Sequence, residues 1–184
     1  MGAVKINTPL NDEVIKTLNI GMEVYLSGIV YTARDAAHKK LLELIDKNEQ
    51  LPFDIQGSVI YYVGPSPAKP GQPIGAAGPT TSYRMDPFVP AMFEAGMKGM
   101  IGKGQRSQQV IDYISKYTGV YFGATGGAAA LLAKSVKAAE VIAFPELGAE
   151  AIRKLEVQDM PLIVINDCYG KDLYQQGRSK WAIK

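Results

Sequence analysis

The stretch MEVYLSGIVYTARDAAHKKLLELIDKNEQ, residues 22–50, decides the fold class. Its first part, residues 22–32, alternates and is rich in Val, Ile and Tyr, which predicts a β-strand. Its second part, residues 33–50, places apolar side chains at helical spacing, and Thr32 is expected at or near the N-cap of that helix. A strand followed directly by an amphipathic helix is typical of α/β proteins.

The rest of the chain continues this alternation. Further strands are predicted over 58–63, 98–101, 120–124, 136–144 and 162–166, and further helices over 87–95, 107–117 and 126–133. Prolines and glycines over 64–71 favour a loop, and a short extended segment is expected over 73–77. The pattern predicts one α/β domain with a mixed sheet over residues 1–174 and a polar, loosely held tail over 175–184.

Composition excludes several classes of function. The 184 residues carry 20 Lys and Arg against 18 Asp and Glu with no basic run, so neither nucleic acid nor a membrane surface is an expected partner. The longest nearly apolar stretch, 123–133, is about half the length that spans a bilayer, and no secretory signal begins the sequence, so a cytoplasmic location is expected. The single cysteine, Cys168, favours a buried thiol and cannot assemble a metal site alone, so no metal is expected on this chain.

The densest polar cluster is GPTTSYRMDP, residues 78–87. Hydroxyl groups and free amides near a helix start can hold an anion, and Arg84 can meet a carboxylate with two parallel hydrogen bonds. The alternative is an N-cap cluster in which Thr80, Thr81 and Ser82 satisfy local backbone and Arg84 is solvated.

A second polar cluster, GIVYTARDAAH, residues 28–38, lies at the predicted junction between the first strand and the helix that follows it. Arg34 falls in the first helical turn, where the helix dipole disfavours a cation, so an anionic partner is expected there, either a ligand or a side chain such as Asp35. His38, the only histidine, lies four residues later on the same face and is a candidate acid–base group, although a structural role is the commoner one.

Two glycine-containing stretches are weaker signals. In Gly102-Lys103-Gly104 the flanking glycines can bring the backbone close to a ligand while Lys103 supplies charge, but the tripeptide alone favours a flexible turn with a solvated lysine. The run GATGGAAA, residues 123–130, lacks the spacing of a nucleotide-binding loop, and close packing of a small-residue helix is favoured.

The ordered set SGIVYTARDAAHK, GPTTSYRMDPF, IGKGQ, GATGGAAALLA and FPELGAEAIRKLEVQDMPLIVIND resembles the β subunit, or fused C-terminal half, of iron–sulfur class I fumarases and L(+)-tartrate dehydratases. The likeness runs over about residues 4–174. It implies a swivelling β/β/α domain and a hydro-lyase that removes water from a 2-hydroxy dicarboxylate. It also implies that the 4Fe–4S cluster is bound by a partner α subunit, where its open iron acts as a Lewis acid, and that this chain is inactive alone.

Site residues follow from the same resemblance. Arg34 and Arg84 are expected to bind or orient substrate carboxylates, Lys103 to assist, and Thr80 to abstract the proton. Thr81 is expected beside them, with His38 and Asp35 as second-rank candidates. A threonine hydroxyl is a poor base unless nearby cations stabilise its alkoxide-like form. The role of Thr80 therefore depends on Arg34, Arg84 and Lys103, the expected clamps on the substrate carboxylates.

Fumarate hydration to (S)-malate, a reaction of the tricarboxylic acid cycle, is preferred over tartrate dehydration because it is a central metabolic reaction. The motifs themselves are shared by both activities. A non-catalytic dicarboxylate-binding module and a pure assembly protein are the alternatives of other classes, and a homodimer of β subunits is compatible with each.

Overall fold

Seven strands form one mixed sheet in the computed structural model, which describes residues 2–124 and 129–182. The strands are β1 (Val4–Asn7), β2 (Glu23–Thr32), β3 (Val59–Tyr61), β4 (Gly99–Gly102), β5 (Val120–Gly123), β6 (Val136–Ala143) and β7 (Ile152–Asn166). The helices are α1 (Asp12–Lys16), α2 (Asp35–Asp46), α3 (Val89–Glu94), α4 (Gln108–Lys116), α5 (Ala129–Ser135) and α6 (Leu173–Trp181), with 3-10 helices at Ser82–Phe88 and Pro145–Glu150.

The sheet closes on itself. Strands β1 to β5 pair in chain order and in parallel, and β7 runs antiparallel to both β5 and β2. Strands β2, β3, β4, β5 and β7 therefore form a closed, barrel-like ring, with β1 added beside β2 and β6 beside β7. The predicted α/β domain with a mixed sheet is confirmed.

Both faces of the central strands are buried, which explains the unbroken apolar run SVIYYV. On β3, Val59 and Tyr61 point into the ring, where they join one core cluster. Ile60 and the following Tyr62 point outward and pack in a second cluster beneath helices α2, α3 and α4. Successive strand residues thus enter different cores.

Several predicted elements end differently. Strand β7 begins at Ile152 rather than after Pro161, because Pro161 keeps its place opposite Tyr25 in the ladder with β2. Residues 73–77 form no strand. Thr32 is not the N-cap of α2: it ends β2, and its hydroxyl lies 3.2 Å from the Ala151 carbonyl oxygen and accepts the Arg153 amide at 2.9 Å.

The C-terminal part is more regular than expected. Residues from Leu173 to Trp181 form helix α6, whose N-cap Asp172 accepts the amide hydrogens of Tyr174 and Gln175. The division of the chain at residue 174 stays a prediction. Over the part of the chain that the structure describes, no helix combines the length and apolarity needed to cross a bilayer.

The parallel strands bring their carboxyl ends to one edge of the ring. Arg34 follows β2, Tyr62 follows β3 and Lys103 follows β4. The segment over 79–88 lies across this edge, held by bridges from Pro79 to Val63 and from Thr81 to Lys103. The two polar clusters and the Gly-Lys-Gly turn, which are far apart in sequence, therefore meet at the edge where α/β sheets commonly bind ligands.

Candidate functional site

Arg34 lies at the junction between β2 and α2, in extended backbone at the N-cap position of the helix. Its Nη2 atom is 3.2 Å from Glu150 Oε1 and 3.8 Å from Asp35 Oδ2, so side chains supply the anionic partner expected from the helix dipole. Its Nε atom is buried and finds no hydrogen-bond partner among the described residues. The Arg34 guanidinium is thus held between two carboxylates, and its Nε atom is enclosed in the protein.

Gly64 shapes the space beside this arginine. A Cβ atom at Gly64 would come within 2.8 Å of Arg34 Nη1, closer than real Cβ contacts allow. The missing side chain lets the guanidinium lie against the backbone that follows β3. A side chain at this position would require the Arg34 guanidinium to move.

Arg84 and Asp35 join the two polar clusters. Arg84 Nε donates to Asp35 Oδ1 at 3.1 Å and its Nη2 donates to Oδ2, which makes the pair a two-bond fork. Burial acts to raise the pKa of Asp35, but the hydrogen bonds and the charges of Arg84 and Arg34 outweigh it and hold that pKa below its ordinary value. Asp35 is thus a carboxylate held between the two predicted clamps.

The threonine pair lies against the ends of β3 and β4. The Thr80 amide donates to the Tyr62 carbonyl oxygen at 2.7 Å, and Thr81 pairs with Lys103 in a parallel bridge. Both threonines are half-buried, whereas Lys103 is exposed. The alternative of an N-cap cluster is not what forms, because Thr81, at the N-cap of the 3-10 helix, makes no side-chain cap bond.

His38 is brought close to the site without facing it. Its side chain is fully buried, its Nδ1 lies 2.9 Å from the Arg34 carbonyl oxygen, and its ring packs on Phe88 and Tyr62. Because a carbonyl oxygen only accepts, Nδ1 carries the proton in the neutral ring. Burial lowers the pKa of His38 to about 4, so the ring is neutral at pH 7 and supports the backbone at Arg34.

Three site-related residues were missed by the sequence reasoning. Glu150 contacts Arg34 from the 3-10 helix before β7, and a buried ion pair joins Asp86 to Arg106 beneath the Lys103 turn. Glu150 lies inside the stretch FPELGAEAIRKLEVQDMPLIVIND, which carries the family resemblance, but nothing in the stretch marks this residue as a partner of Arg34. Local spacing carries no signal for these contacts, because the partners lie 20 or more residues apart.

The described residues do not fit an iron–sulfur cluster. They contain no group of three or more His, Cys, Asp or Glu side chains that could hold a metal ion. Burial raises the pKa of the Cys168 thiol, which disfavours the thiolate that binds iron. Residues 125–128 of the run GATGGAAA lie outside the described residues, so the interpretation of that run as a packed helix applies only to α5 from Ala129 onward.

The arrangement has the chemistry of an anion site. Two arginines, a lysine and two threonines follow or cross the carboxyl ends of the parallel strands at one edge, where the Arg84 and Lys103 side chains are exposed. Guanidinium groups bind carboxylates through paired hydrogen bonds, and cations stabilise negative charge that develops beside a carboxylate. The edge has the groups that bind a carboxylate.

Comparison with known proteins identifies the family of this chain. Residues 1–177 match the family model described as Fumarase C-terminus. A protein of Escherichia coli (strain K12) named "Fumarate hydratase class I, anaerobic" is 43% identical over 178 residues, which cover 94% of this chain and 32% of that protein. "Fumarate hydratase 2" of Leishmania major is 44% identical over 160 residues, covering 85% of this chain and 28% of that protein.

A relative of similar length has a different name. "Putative L(+)-tartrate dehydratase subunit beta" of Methanocaldococcus jannaschii is 40% identical over 177 residues, covering 93% of this chain and 91% of that protein. The chain spans about a third of the length of the curated relatives named fumarate hydratase. The family match over nearly the whole chain and the full-length relative lead to one conclusion: this chain belongs to the Fumarase C-terminus family.

Proposed function

We propose that this chain is the β module of an iron–sulfur hydro-lyase that hydrates fumarate reversibly to (S)-malate. The observation that supports this most directly is the meeting of Arg34, Arg84, Lys103 and Thr80 at one open edge of the ring. In this proposal the edge contributes the substrate clamps, and another module of the enzyme contributes the metal cluster.

Each clamp has a distinct task in this proposal. Asp35 orients the exposed Arg84 side chain, whose remaining N–H groups take one substrate carboxylate, and Arg34 orients the other end of the substrate. Lys103 adds positive charge near the reacting carbons. Removing a proton beside a carboxylate builds negative charge, and these fixed cations stabilise it.

Thr80 is the proposed proton-abstracting residue, with Thr81 binding substrate beside it. The hydrogen bond from the Thr80 amide to the Tyr62 carbonyl oxygen fixes the Thr80 backbone at the end of β3, so the Thr80 hydroxyl is held at the same edge as the cations. Those cations favour the alkoxide-like form that proton abstraction needs. His38 and Asp35 serve the site indirectly, by supporting the backbone of Arg34 and the fork of Arg84.

The 4Fe–4S cluster, and the Lewis-acid chemistry it supplies, belong in this proposal to a partner α subunit. The names of the longer relatives refer to proteins about three times the length of the matched region, and the name of the relative of similar length refers to a subunit. Both fit a chain that completes its site with another module. We propose a cytoplasmic heteromer, inactive without the α subunit.

L(+)-tartrate dehydration is the second candidate, and one observation favours it. The relative whose length this chain matches is the one named for a tartrate dehydratase β subunit. The relatives named fumarate hydratase are 34–44% identical, which brackets the 40% of the tartrate dehydratase subunit, and they are much longer. Substrate preference decides between the two.

The test is hydratase activity measured anaerobically on fumarate, mesaconate and D- and L-tartrate, with the chain alone and after mixing with the cluster-bearing α subunit. Activity only in the mixture supports the shared site, and the preferred substrate names the reaction. Arg34→Ala and Arg84→Ala should each lower turnover of the mixture by about 10²-fold or more. Lys5→Ala, an exposed lysine on β1, is the matched control and should leave turnover unchanged.

Other outcomes favour the alternatives. Dicarboxylate binding without turnover, in a mixture whose cluster is spectroscopically intact, supports a binding module. Full activity of the complex after Arg34→Ala or Arg84→Ala supports a pure assembly role.

A further inference from the structure

Ser82 ties the threonine segment to the Lys103 turn. Its amide donates to the Lys103 carbonyl oxygen at 3.0 Å, and its Oγ accepts the Lys103 amide at 3.0 Å. The contact exists because residue 102 is glycine: a Cβ atom there would lie only 1.9 Å from Ser82 Oγ. The backbone of Lys103 is therefore held on both sides by one buried serine.

Tyr121 extends this contact to the other side of the turn. Its hydroxyl lies 3.0 Å from Ser82 Oγ and 3.0 Å from the Gly104 carbonyl oxygen. Burial raises the pKa of the Tyr121 phenol, so the hydroxyl keeps its single proton. Since Gly104 can only accept, that proton goes to the carbonyl, and Tyr121 accepts from Ser82 in turn.

A second tie lies just beyond the first. Asp86, in the same 3-10 helix as Ser82, accepts from Arg106 Nε at 2.8 Å and from the Ser107 amide at 2.7 Å. The Arg106 side chain is fully buried, and its guanidinium carbon lies 5.2 and 5.0 Å from the ring centres of Tyr62 and Tyr121. The helix that carries Arg84 is thus joined to the loop that carries Lys103 at two points.

A buried ion pair is costly to form and fixes one arrangement of the segments that carry it. The pair from Asp86 to Arg106 contacts neither Arg84 nor Lys103, but each partner lies within three residues of one of these clamps. The pair therefore links the segment that carries Arg84 to the segment that carries Lys103. Shifts of about 1 Å are enough to change turnover strongly.

We propose that Asp86 and Arg106 are positioning residues. They fix the Lys103 turn against the segment bearing Thr80 and Arg84, so that the side chains of Lys103, Thr80 and Arg84 contact the same substrate molecule. This inference rests on the proposed function for its catalytic part. Its geometric part, that the ion pair of Asp86 and Arg106 holds the contact between Ser82 and Lys103, is testable on the chain alone.

The catalytic test is a double-mutant cycle in the assembled complex. Lys103→Met removes the charge and keeps the length, and should lower turnover by about 10²-fold in the otherwise unchanged chain. In an Asp86→Asn chain, where Lys103 is no longer held in place, the same substitution should lower turnover by less than about 10-fold. Arg106→Lys, which keeps the charge but loses the planar fork, should act like Asp86→Asn.

A merely structural role gives a different result. If Asp86→Asn only reduced the folded fraction, the factor lost with Lys103→Met would stay the same in both backgrounds, and the proposal would be overturned. Ile114→Ala, which removes core packing under α4, is the matched control and should leave the factor unchanged. Tyr121→Phe and Ser82→Ala, which remove only hydroxyl groups, replace Asp86→Asn in the cycle if that chain does not fold.

Amide hydrogen exchange separates this inference from the proposed function. In Asp86→Asn, exchange at the amides of Ser82 and Lys103 should accelerate about 10-fold or more relative to exchange at Leu26 in β2. Equal acceleration at all three amides would overturn the coupling of the segments. A wild-type complex without hydratase activity would overturn the proposed function, while this exchange result would still decide the geometric part.

Discussion

Glu150 Oε1 lies 3.2 Å from Arg34 Nη2, while the other oxygen of the same carboxylate accepts the Ala36 amide at 2.9 Å. Helix α2 begins after Arg34, whose own side chain makes no cap bond. Glu150 therefore caps this helix from a distant part of the chain and neutralises the arginine at its N-terminus. One carboxylate solves the two problems that a cation at a helix start creates.

Removing this carboxylate should destabilise the chain. We expect Glu150→Ala to lower the free energy of unfolding by about 1 kcal/mol, the usual effect of losing a helix cap, and Glu150→Gln to lower it less because an amide oxygen still accepts from Ala36. Urea denaturation measures both. Glu146→Ala is the control. Glu146 lies in the same 3-10 helix as Glu150 and pairs with Lys40 of α2, but its side chain is exposed. Equal losses for Glu146→Ala and Glu150→Ala would contradict the capping role.

The fork between Asp35 and Arg84 predicts an acid-sensitive contribution to stability. The folded pKa of Asp35 is held below its ordinary value of 3.8, so the pair stabilises the fold above that pH and this contribution is lost as the pH falls through the folded pKa. Both side chains are about one third exposed, so we expect a contribution of no more than about 1 kcal/mol.

Asp35→Asn isolates this contribution. The variant should be less stable than the unchanged chain at pH 7, and the difference should close as the pH falls below about 4. Urea denaturation at a series of pH values measures it, with Asp46→Asn at the other end of α2 as the control. A difference that stays constant down to pH 2.5 would show that the fork carries no charge-dependent stabilisation.

Much of the ring could be predicted from sequence. The alternation in 22–32, the helical spacing that follows, and the apolar runs of β3 to β5 each reflect a local preference that the folded chain keeps. The start of β7 was missed because proline usually ends a strand, whereas here Pro161 is held in a ladder by pairing on either side. The polar stretch after Asp172 has no apolar stripe, so its helix was not predicted either.

The site divides in the same way. Sequence reasoning singled out Arg34, Arg84 and Lys103 as candidates because charge near a helix start or between glycines is a local signal. Whether the two clusters meet depends on strand order, and their meeting through Asp35 is a property of the closed ring. Glu150 and Arg106 acquire their roles only from partners that the fold brings together, so no spacing rule marks them.

Gly102 gives a prediction about packing beneath the Lys103 turn. Gly102→Ala would place a Cβ atom 1.9 Å from Ser82 Oγ and 3.1 Å from Ser82 Cβ, so we expect a loss of about 2 kcal/mol in the free energy of unfolding. Adding Ser82→Ala removes the nearest atom, and the double variant should be more stable than the sum of the two single losses predicts. Thermal and urea unfolding measure these differences.

Gly177→Ala is the control for this cycle. Gly177 lies in α6 with open space where a Cβ atom would be, so alanine there should be neutral or stabilising by up to about 1 kcal/mol. Strict additivity of Gly102→Ala and Ser82→Ala would show that the close approach of Ser82 is not what requires glycine.

His38 gives the sharpest pH prediction, because it is the only histidine in the chain. Burial, together with the nearby charge of Arg106, outweighs the bond to the Arg34 carbonyl and the charge of Asp35 and lowers the pKa of the ring to about 4. Protonation would put a hydrogen on Nε2, which is buried without a hydrogen-bond partner among the described residues. The folded state therefore binds this proton less readily than the unfolded chain.

The sign of the effect follows directly. The stabilisation is complete above the unfolded pKa of 6.5 and is lost as the pH falls towards 4, by about 3 kcal/mol at most. His38→Gln should remove this part of the pH dependence and leave the loss below pH 4 in place. The single imidazole signal in an NMR titration reports the pKa of the folded chain, and a midpoint near 6.5 would place the ring in contact with solvent. Such a midpoint would make His38 a candidate acid–base group for the site again, because a ring in contact with solvent can exchange protons, whereas the buried, neutral ring only supports the backbone of Arg34.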